Sequence, residues 1–386
     1  MPPEYLKFQF FNCLQDACSY LRNIMSMSAV LKGMGVGSVE TTATAATVLW
    51  VLRDGAGMLG SLLFASFASV KFGQNAKQWR LFADAINNLG ITLEVLAPMF
   101  SSKAIFLAVL SLASICKALC GVAAGATNAS IMEYWGSTHG NFGDIAAKNG
   151  MQHTTLSLLC LCVSVPFIKF TGSLKMPHMW AVYSTLTVFH MCLNFQAMRL
   201  LALRSLNCNR LMLLVQRFMH SGAGSPGEAL SEALSTREIA KVDPLIPVLR
   251  FDALGGKSSI AINYWSSLDT LTAKCTPEAI SSSLALYSQC GYFLVPRSDA
   301  RGVVVCMREK HTPVDTAKSI FEAMVVKNEL QRRPTAGGGA LNFQQALELA
   351  RLQTDARFTV FWALLSELGW DTSRLQLQPR NAVTIC

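Results

Sequence analysis

The sequence predicts a mainly α fold. A multi-helix, membrane-embedded bundle is expected over about residues 1–220, and a small soluble α+β domain over about 225–386. Three observations predict this. Of the 386 residues, 51% are hydrophobic and only 15% are charged, against roughly 25% charged in an ordinary soluble chain. Charge is scarcest before residue 200, where four apolar stretches approach the roughly 17–25 residues a span requires: Thr41–Val70, Ala104–Ala126, Thr154–Thr171 and Met179–Leu203. Beyond the Gly/Ser/Pro segment SGAGSPG at 221–227, helix-capping sequences and short β-branched runs take over, the marks of a water-exposed α+β fold.

The first element is a helix over 4–32. Tyr5, Phe8, Phe11, Leu14, Cys18, Leu21, Met25 and Ala29 recur at helical spacing, which reads as a packing face. The glycines of GMGVG at 33–37 stop it. The apolar run TVLWVL then leads into a charged pair, Arg53 and Asp54, and a glycine turn at 55–60. Gly55, Gly57 and Gly60 match G-x-G-x-x-G, the phosphate loop of dinucleotide sites. That motif needs a strand before it and a βαβ pattern around it, and neither follows here. The competing reading is close packing, in which Gly57, Gly60, Ser61, Ala65, Ser66 and Ala68 form a small-residue helix face.

A second helix runs to Pro98 and mixes Lys77, Arg80, Asp84 and Glu94 with Trp79, Phe82 and Leu89. Arg80 and Asp84 stand at i, i+4 and can pair on one face. The stretch 104–127 carries Gly121-x-x-x-Gly125, a helix-contact pattern. It also carries Lys117, which needs an acceptor in apolar surroundings; Asp54 and Glu94 both qualify. Asn141–Gly143 reads as a turn, followed by a short helix with an Asp144–Lys148 pair. His139 and His153 flank it as ordinary loop histidines. Two further apolar helices occupy about 154–171 and 178–203. The segment from 198 to 222 reads as a basic amphipathic helix, with Arg199, Arg204, Arg210 and Arg217, suited to an anionic membrane surface.

In the C-terminal half, Ser225–Glu228 and Thr312–Asp315 are capping boxes with proline at the first helical position, and Thr276-Pro-Glu278 is a near variant. Gly291–Val295 and Gly302–Met307 read as a hairpin joined by PRSDAR, with Pro247–Phe251 as a further strand. Gly256-Lys257-Ser258 lacks the first glycine of a Walker loop. Helices are expected over 314–333 and 341–368, with a Pro/Gly linker at 334–339 between them and Gly369 closing the second.

Net charge is +9, but the basic residues are spread out with no aromatic-interleaved stripe, which excludes nucleic acid as a partner. A solvated or phospholipid-facing rim fits better, and the expected partners are membrane lipids and a protein or second copy docked on a small-residue helix face. The 12 cysteines form no CxxC and no zinc spacing with histidine, so no metal site is expected and the thiols read as reduced. The N-terminus, MPPEYLKFQFFNCLQ, lacks the charged and apolar regions of a cleaved leader. No catalytic triad or carboxylate dyad stands out.

Several segments resemble one family in order and spacing: VLRDGAGMLGSLLFAS, KQWRLFADAINNLGITLEVLAP, CKALCGVAAGATNASI, NFGDIAAKNGMQ and LRSLNCNRLMLL. Together they are similar to the root UVB sensitive family over most of residues 5–220, with an echo in YFLV, GVVVCM and ELGWD. The resemblance implies a non-enzymatic protein of an intracellular membrane, with endoplasmic reticulum, plastid and mitochondrion left open. It implies a part in vitamin B6 homeostasis and the UV-B stress response, by binding or moving a small ligand or scaffolding a partner. The family supplies no catalytic residues to carry over. The alternatives are a nucleotide-dependent enzyme at the glycine turn and a pure interaction scaffold. The expected functional centre is Arg53, Asp54, Gly55, Gly57, Gly60, Lys77, Arg80 and Asp84, with Asp144 and Lys148 beside it. Pyridoxal phosphate is the candidate ligand, because glycine amides and helix N-termini favour anions.

Overall fold

The computed structural model describes residues 3–35, 43–68, 72, 75–139, 141–220, 227–246, 260–299, 301–332, 343–377 and 382–383. The chain divides into two compact units, Met1–Leu201 and Ala202–Cys386.

The first unit is helical throughout its described residues: α1 (Pro3–Gly33), α2 (Ala43–Ala68), α3 (Ala76–Leu96), α4 (Lys103–His139), α5 (Phe142–Ser173) and α6 (Met176–Arg199). Pro98 lies in a short 3-10 turn that ends α3. The expected periodic face of α1 is the one that packs: Tyr5, Phe8, Cys18 and Met25 are buried, and α1 lies against α3, α5 and α6. The Tyr5 and Phe8 rings close on Trp135 of α4. Helices α2 and α3 both pack on α4. A Cβ built on Gly57 would stand 2.5 Å from Ser114 Oγ, and one on Gly60 2.9 Å from Ile115 Cγ2. The small residues of α2 therefore let its backbone approach α4 closely.

Three sequence expectations are corrected here. The glycines at 55–60 form no turn, since they lie inside the continuous helix α2, and the run before them from Ala43 is helix rather than strand. Asp144 and Lys148 do not sit on a short separate helix. They open α5, a 32-residue helix that runs on through Gly150 and Pro166. A glycine weakens a helix by only about 1 kcal/mol, and packing of α5 on α1 and α4 outweighs it. The Gly121-x-x-x-Gly125 face of α4 makes no close helix contact among the described residues, for a Cβ at either position would meet open space.

Helices α2, α4 and α5 are long and apolar enough to cross a membrane, over Thr47–Phe67, Lys103–Gly136 and Phe142–Ser173. Much of their apolar surface faces outward. Val51, Leu62 and Phe67 of α2 and Leu159, Val165 and Phe170 of α5 are all more than half exposed. Contiguous apolar surface of this extent marks a membrane or partner contact rather than a water-facing surface.

The second unit opens with β1 (Ser205–Asn207) and α7 (Cys208–His220). Leu211, Leu214 and Val215 of α7 are fully buried, and α7 packs on α12 (Pro313–Arg332). Arg210 is buried too and pairs with Asp243 at 3.0 Å. The expected membrane-surface helix is thus a core helix: its apolar face is covered by its own unit and its first arginine is neutralised there. Short helices α8 (Glu228–Ala233), α9 (Thr236–Val242), α10 (Leu268–Lys274) and α11 (Pro277–Leu286) follow, and α13 (Phe343–Glu367) packs on α12.

Strands β3 (Tyr292–Pro296) and β4 (Gly302–Arg308) form the expected hairpin, with Leu294 opposite Val305. Strands β2 (Ala261–Asn263) and β6 (Ala382–Val383) both pair with β4 in parallel, and β5 (Asp371–Gln376) pairs in parallel with β1. Val303 to Met307 are all fully buried, the continuous apolar pattern of a strand covered on both faces. The Thr312 box is reciprocal: Thr312 N–H donates to Asp315 Oδ2 at 2.8 Å and Asp315 N–H to Thr312 Oγ1 at 3.1 Å. Gly369 follows α13 at φ +80°, a conformation glycine adopts at helix ends. The 221–227 linker (apart from Gly227), Ser225 and Pro226 of the first capping box, the Pro247–Phe251 strand, Gly256–Ser258 and the 334–339 linker lie outside the described residues.

Candidate functional site

The buried ion pairs among the described residues of the helical unit form two clusters, both centred on carboxylates of α3. Glu94 is one centre. Its Oε1 accepts from Arg53 of α2 at 3.1 Å, and its Oε2 accepts from Lys117 of α4 at 2.6 Å and from Ser26 of α1. Arg53 also lies over the Trp50 ring at 4.4 Å and within 3.8 Å of Asp54. Of the two acceptors weighed for Lys117, Glu94 is the one it meets. Four helices are tied at this carboxylate, whose side chain is 3% exposed.

Asp84 is the second centre. Arg80 Nε approaches it at 3.4 Å, Gln15 Nε2 at 3.1 Å and Asn194 Nδ2 at 2.5 Å. A layer further along, Arg22 is fully buried and donates to Asn88 and to Thr187 Oγ1. Burying charge in a bundle is costly unless it is paired and hydrogen-bonded, and Asp84 meets both conditions.

Arg80 also opens onto a cavity of about 300 Å³ walled by α1, α3, α4, α5 and α6, at the lower end of the range for small-molecule sites. Asn12 and Asp16 of α1, Asn128 of α4, and Gln152 and His153 of α5 line it with Arg80. Phe8, Ile131, Leu156 and Met198 supply apolar wall. Asp16 accepts from Asn12 Nδ2 at 3.2 Å. The helical spacing of the polar positions explains their convergence: Asn12 and Asp16 are four apart, as are Asn149 and His153. An apolar groove along α5, lined by Lys148, Met151 and Leu159, shares Cys13, Gln152 and Leu156 with the cavity.

The expected centre is thus only partly gathered. Arg80 lines the cavity and Asp84 stands behind it. Arg53 and Asp54 belong to the Glu94 cluster. Gly55 is exposed, while Gly57 and Gly60 are packing positions. Lys77 is buried in the first turn of α3. Asp144 and Lys148 pair at 2.6 Å and are nearly half exposed, with Lys148 on the groove. The sequence reading passed over Asn12, Asp16, Asn128 and Gln152, although their spacing along three apolar helices was the available signal, and it took His153 for a loop histidine, whereas it lies within α5 on the cavity wall.

Among the described residues no lysine lines the cavity. It therefore offers no amine to the carbonyl of pyridoxal phosphate and does not fit that group as a covalently held cofactor. Among the described residues no cluster of metal-ligating side chains occurs.

Fold and site together define a class: a bundle with membrane-length apolar helices and a polar, small-molecule-sized cavity, carrying a separate α+β unit. Comparison with known proteins narrows it. A model of the vitamin B6 photo-protection and homoeostasis domain matches residues 1–222, and one of the root UVB sensitive protein C-terminal region matches 254–381. The chain is 30% identical over 338 residues to protein root UVB sensitive 3 of Arabidopsis thaliana, covering 86% of this chain and 72% of that one. It is 34% identical over 246 residues to RUS family member 1 of Dictyostelium discoideum, covering 63% of this chain and 44% of that one. Against protein root UVB sensitive 4 of Arabidopsis thaliana it is 24% identical over 335 residues, 85% of this chain and 61% of that one. No solved structure matches. The chain belongs to the root UVB sensitive family, and the match to the vitamin B6 photo-protection and homoeostasis domain covers the helical unit together with β1 and α7.

Proposed function

We propose that the helical unit is embedded in an intracellular membrane and holds a vitamin B6-type solute in the polar cavity, and that this binding is how it serves vitamin B6 homeostasis and the UV-B stress response. One observation carries the reading: a cavity lined by Asp16, Arg80, Asn12, Asn128, Gln152 and His153 inside a bundle whose outer faces on α2 and α5 are apolar. Polar side chains in such surroundings are functional by default. The family's B6 domain supplies the chemical class of the ligand.

The experiment has two steps. Full-length protein in membranes is first treated with alkaline carbonate, and it stays in the pellet. The protein is then purified in detergent and its retained small molecules are identified by mass spectrometry. A B6 vitamer retained near one equivalent supports the reading. Release into carbonate, or purified protein that neither retains nor takes up any vitamer, contradicts it. The exposed apolar face of α2 favours a second reading, a scaffold that docks a partner in the membrane; retention of a partner without any vitamer would select it. The nucleotide-enzyme alternative is not carried forward, because the glycines it requires lie inside α2.

A further inference from the structure

We propose, resting on the reading above, that the cavity selects an unphosphorylated solute that is neutral or carries one positive charge, and discriminates against phosphate esters. The argument is a count of charges and donors. Among the described residues that line the cavity, the ionisable groups are Asp16, Arg80 and His153, with Cys13 a thiol beside them. Arg80 is the permanent cation, and its guanidinium already faces Asp84 at 3.4 Å. It therefore stands between two carboxylates, one in the wall and one directly behind. Asp84 also accepts from Gln15 and Asn194 on Oδ2 and does not line the cavity. Asp16 does line it, and it accepts from Asn12 on Oδ2, which leaves Oδ1 to receive a donor from a ligand.

A phosphate site is built the other way round. It gathers several cationic forks or backbone N–H groups around the anion and keeps carboxylates away. Among the described residues no lysine is in the cavity wall to meet a phosphate. Lys148 is held by Asp144 at 2.6 Å on the exposed side of α5, and Lys77 is buried at the start of α3. What the wall does offer is amide. Asn128, Asn149 and Gln152 each present a donor and an acceptor, which matches hydroxyl groups and ring nitrogens. Phe8 and Leu156 supply apolar surface for a flat ring. Asp16 Oδ1 suits a protonated ring nitrogen or an ammonium group, and it repels a phosphate dianion within the same small volume.

The test is competition on purified full-length protein in detergent. Bound radiolabelled pyridoxine is displaced by unlabelled pyridoxine, pyridoxamine, pyridoxal phosphate and inorganic phosphate. Pyridoxine and pyridoxamine are expected to bind at least about tenfold more tightly than pyridoxal phosphate, and inorganic phosphate is expected not to displace the label. Asp16→Asn narrows that preference at least about threefold, because it removes the repulsion. Equal or tighter binding of pyridoxal phosphate in the wild-type protein overturns the proposal and leaves the proposed function standing. So does an unchanged preference in Asp16→Asn protein that elutes as wild type on gel filtration. If that variant does not fold, the wild-type ratio decides alone. If no vitamer of any charge binds, the proposal falls together with the function on which it rests.

Discussion

Replacing Glu94 by Gln removes the one negative charge that Arg53 and Lys117 share, and with it the tie between four helices. Glu94 is 3% exposed at its side chain, Arg53 12% and Lys117 28%. Breaking a buried ion pair by neutralising one partner costs about 3–5 kcal/mol, because the remaining charge is left without its counter-charge. Lys117 is partly exposed and can relax toward the surface, so the lower end, about 3 kcal/mol, applies. For a unit of about 200 residues each kcal/mol moves the unfolding midpoint by roughly 2–4 °C, which gives a fall of about 6–12 °C. The matched control is Asp144→Asn. Its pair with Lys148 is equally short at 2.6 Å but nearly half exposed on both sides, and such pairs contribute about 0–1 kcal/mol. The assay is thermal unfolding of detergent-solubilised protein, followed by reaction of a thiol dye with Cys116, which is buried beside Lys117 on α4. A Glu94→Gln midpoint within about 1 °C of wild type would refute the account of Glu94 as a structural tie. So would a fall of equal size in Asp144→Asn.

Two further predictions follow from the same geometry. A Cβ on Gly90 would stand 2.9 Å from the backbone carbonyl oxygen of Ala113, whereas one on Gly55 would meet open space. Overpacking of about 1–3 kcal/mol then exceeds or cancels a helix-propensity gain of about 1 kcal/mol at Gly90, but not at Gly55. In the same thermal assay Gly55→Ala should unfold above wild type and Gly90→Ala at or below it; the reverse order would show that α3 and α4 are not in close contact there. In the second unit, Glu322 of α12 is fully buried and accepts from Tyr287 at 2.6 Å and Tyr292 at 2.5 Å, with Arg351 at 3.7 Å. Burial pushes its carboxyl above the ordinary range, against the lowering effect of both tyrosine hydroxyls and Arg351. Its folded pKa is raised, so its contribution to stability is complete below the unfolded value of about 4.3 and is lost as pH rises through the folded value. Urea unfolding across this range should show that decline in the wild type and a flatter profile in Glu322→Gln, and an identical slope in both would remove Glu322 from the pH dependence.

Local signals in the sequence carried much of the fold. The apolar period of α1, the Thr312–Asp315 box at the start of α12, the β3–β4 hairpin and the small-residue face of α2 all rest on neighbours a few positions apart. What was not legible depended on partners far along the chain. Helix α7 is basic and amphipathic by itself, and only Asp243 and the core of its own unit turn it from a surface helix into a buried one. Asn141 does mark a break, as the N-cap of α5, but Gly150 signals a second one that packing on α1 and α4 overrides. The site divides in the same way. Arg80 and Asp84 announced themselves as charges at i, i+4 in apolar sequence, whereas Asn12 and Asp16 were hidden by the stronger apolar period of the helix that carries them. Arg53 and Glu94 are 41 residues apart, and nothing local distinguishes their tie from a ligand site.

The central claim, that the polar cavity of the helical unit is where a B6-type solute binds, is tested most directly by filling it. Gly125 borders the cavity on α4, and a side chain there would enter open space. Gly121, one turn away, has the same open surroundings and does not line the cavity. Leucine at either position favours the helix by somewhat under about 1 kcal/mol, so both variants should fold and elute as wild type. The measurement is equilibrium binding of radiolabelled pyridoxine to the full-length protein and to each variant. The account predicts that Gly125→Leu abolishes binding and that Gly121→Leu retains it within about twofold. Wild-type binding by Gly125→Leu would contradict it and place the ligand, and with it the function, somewhere other than this cavity.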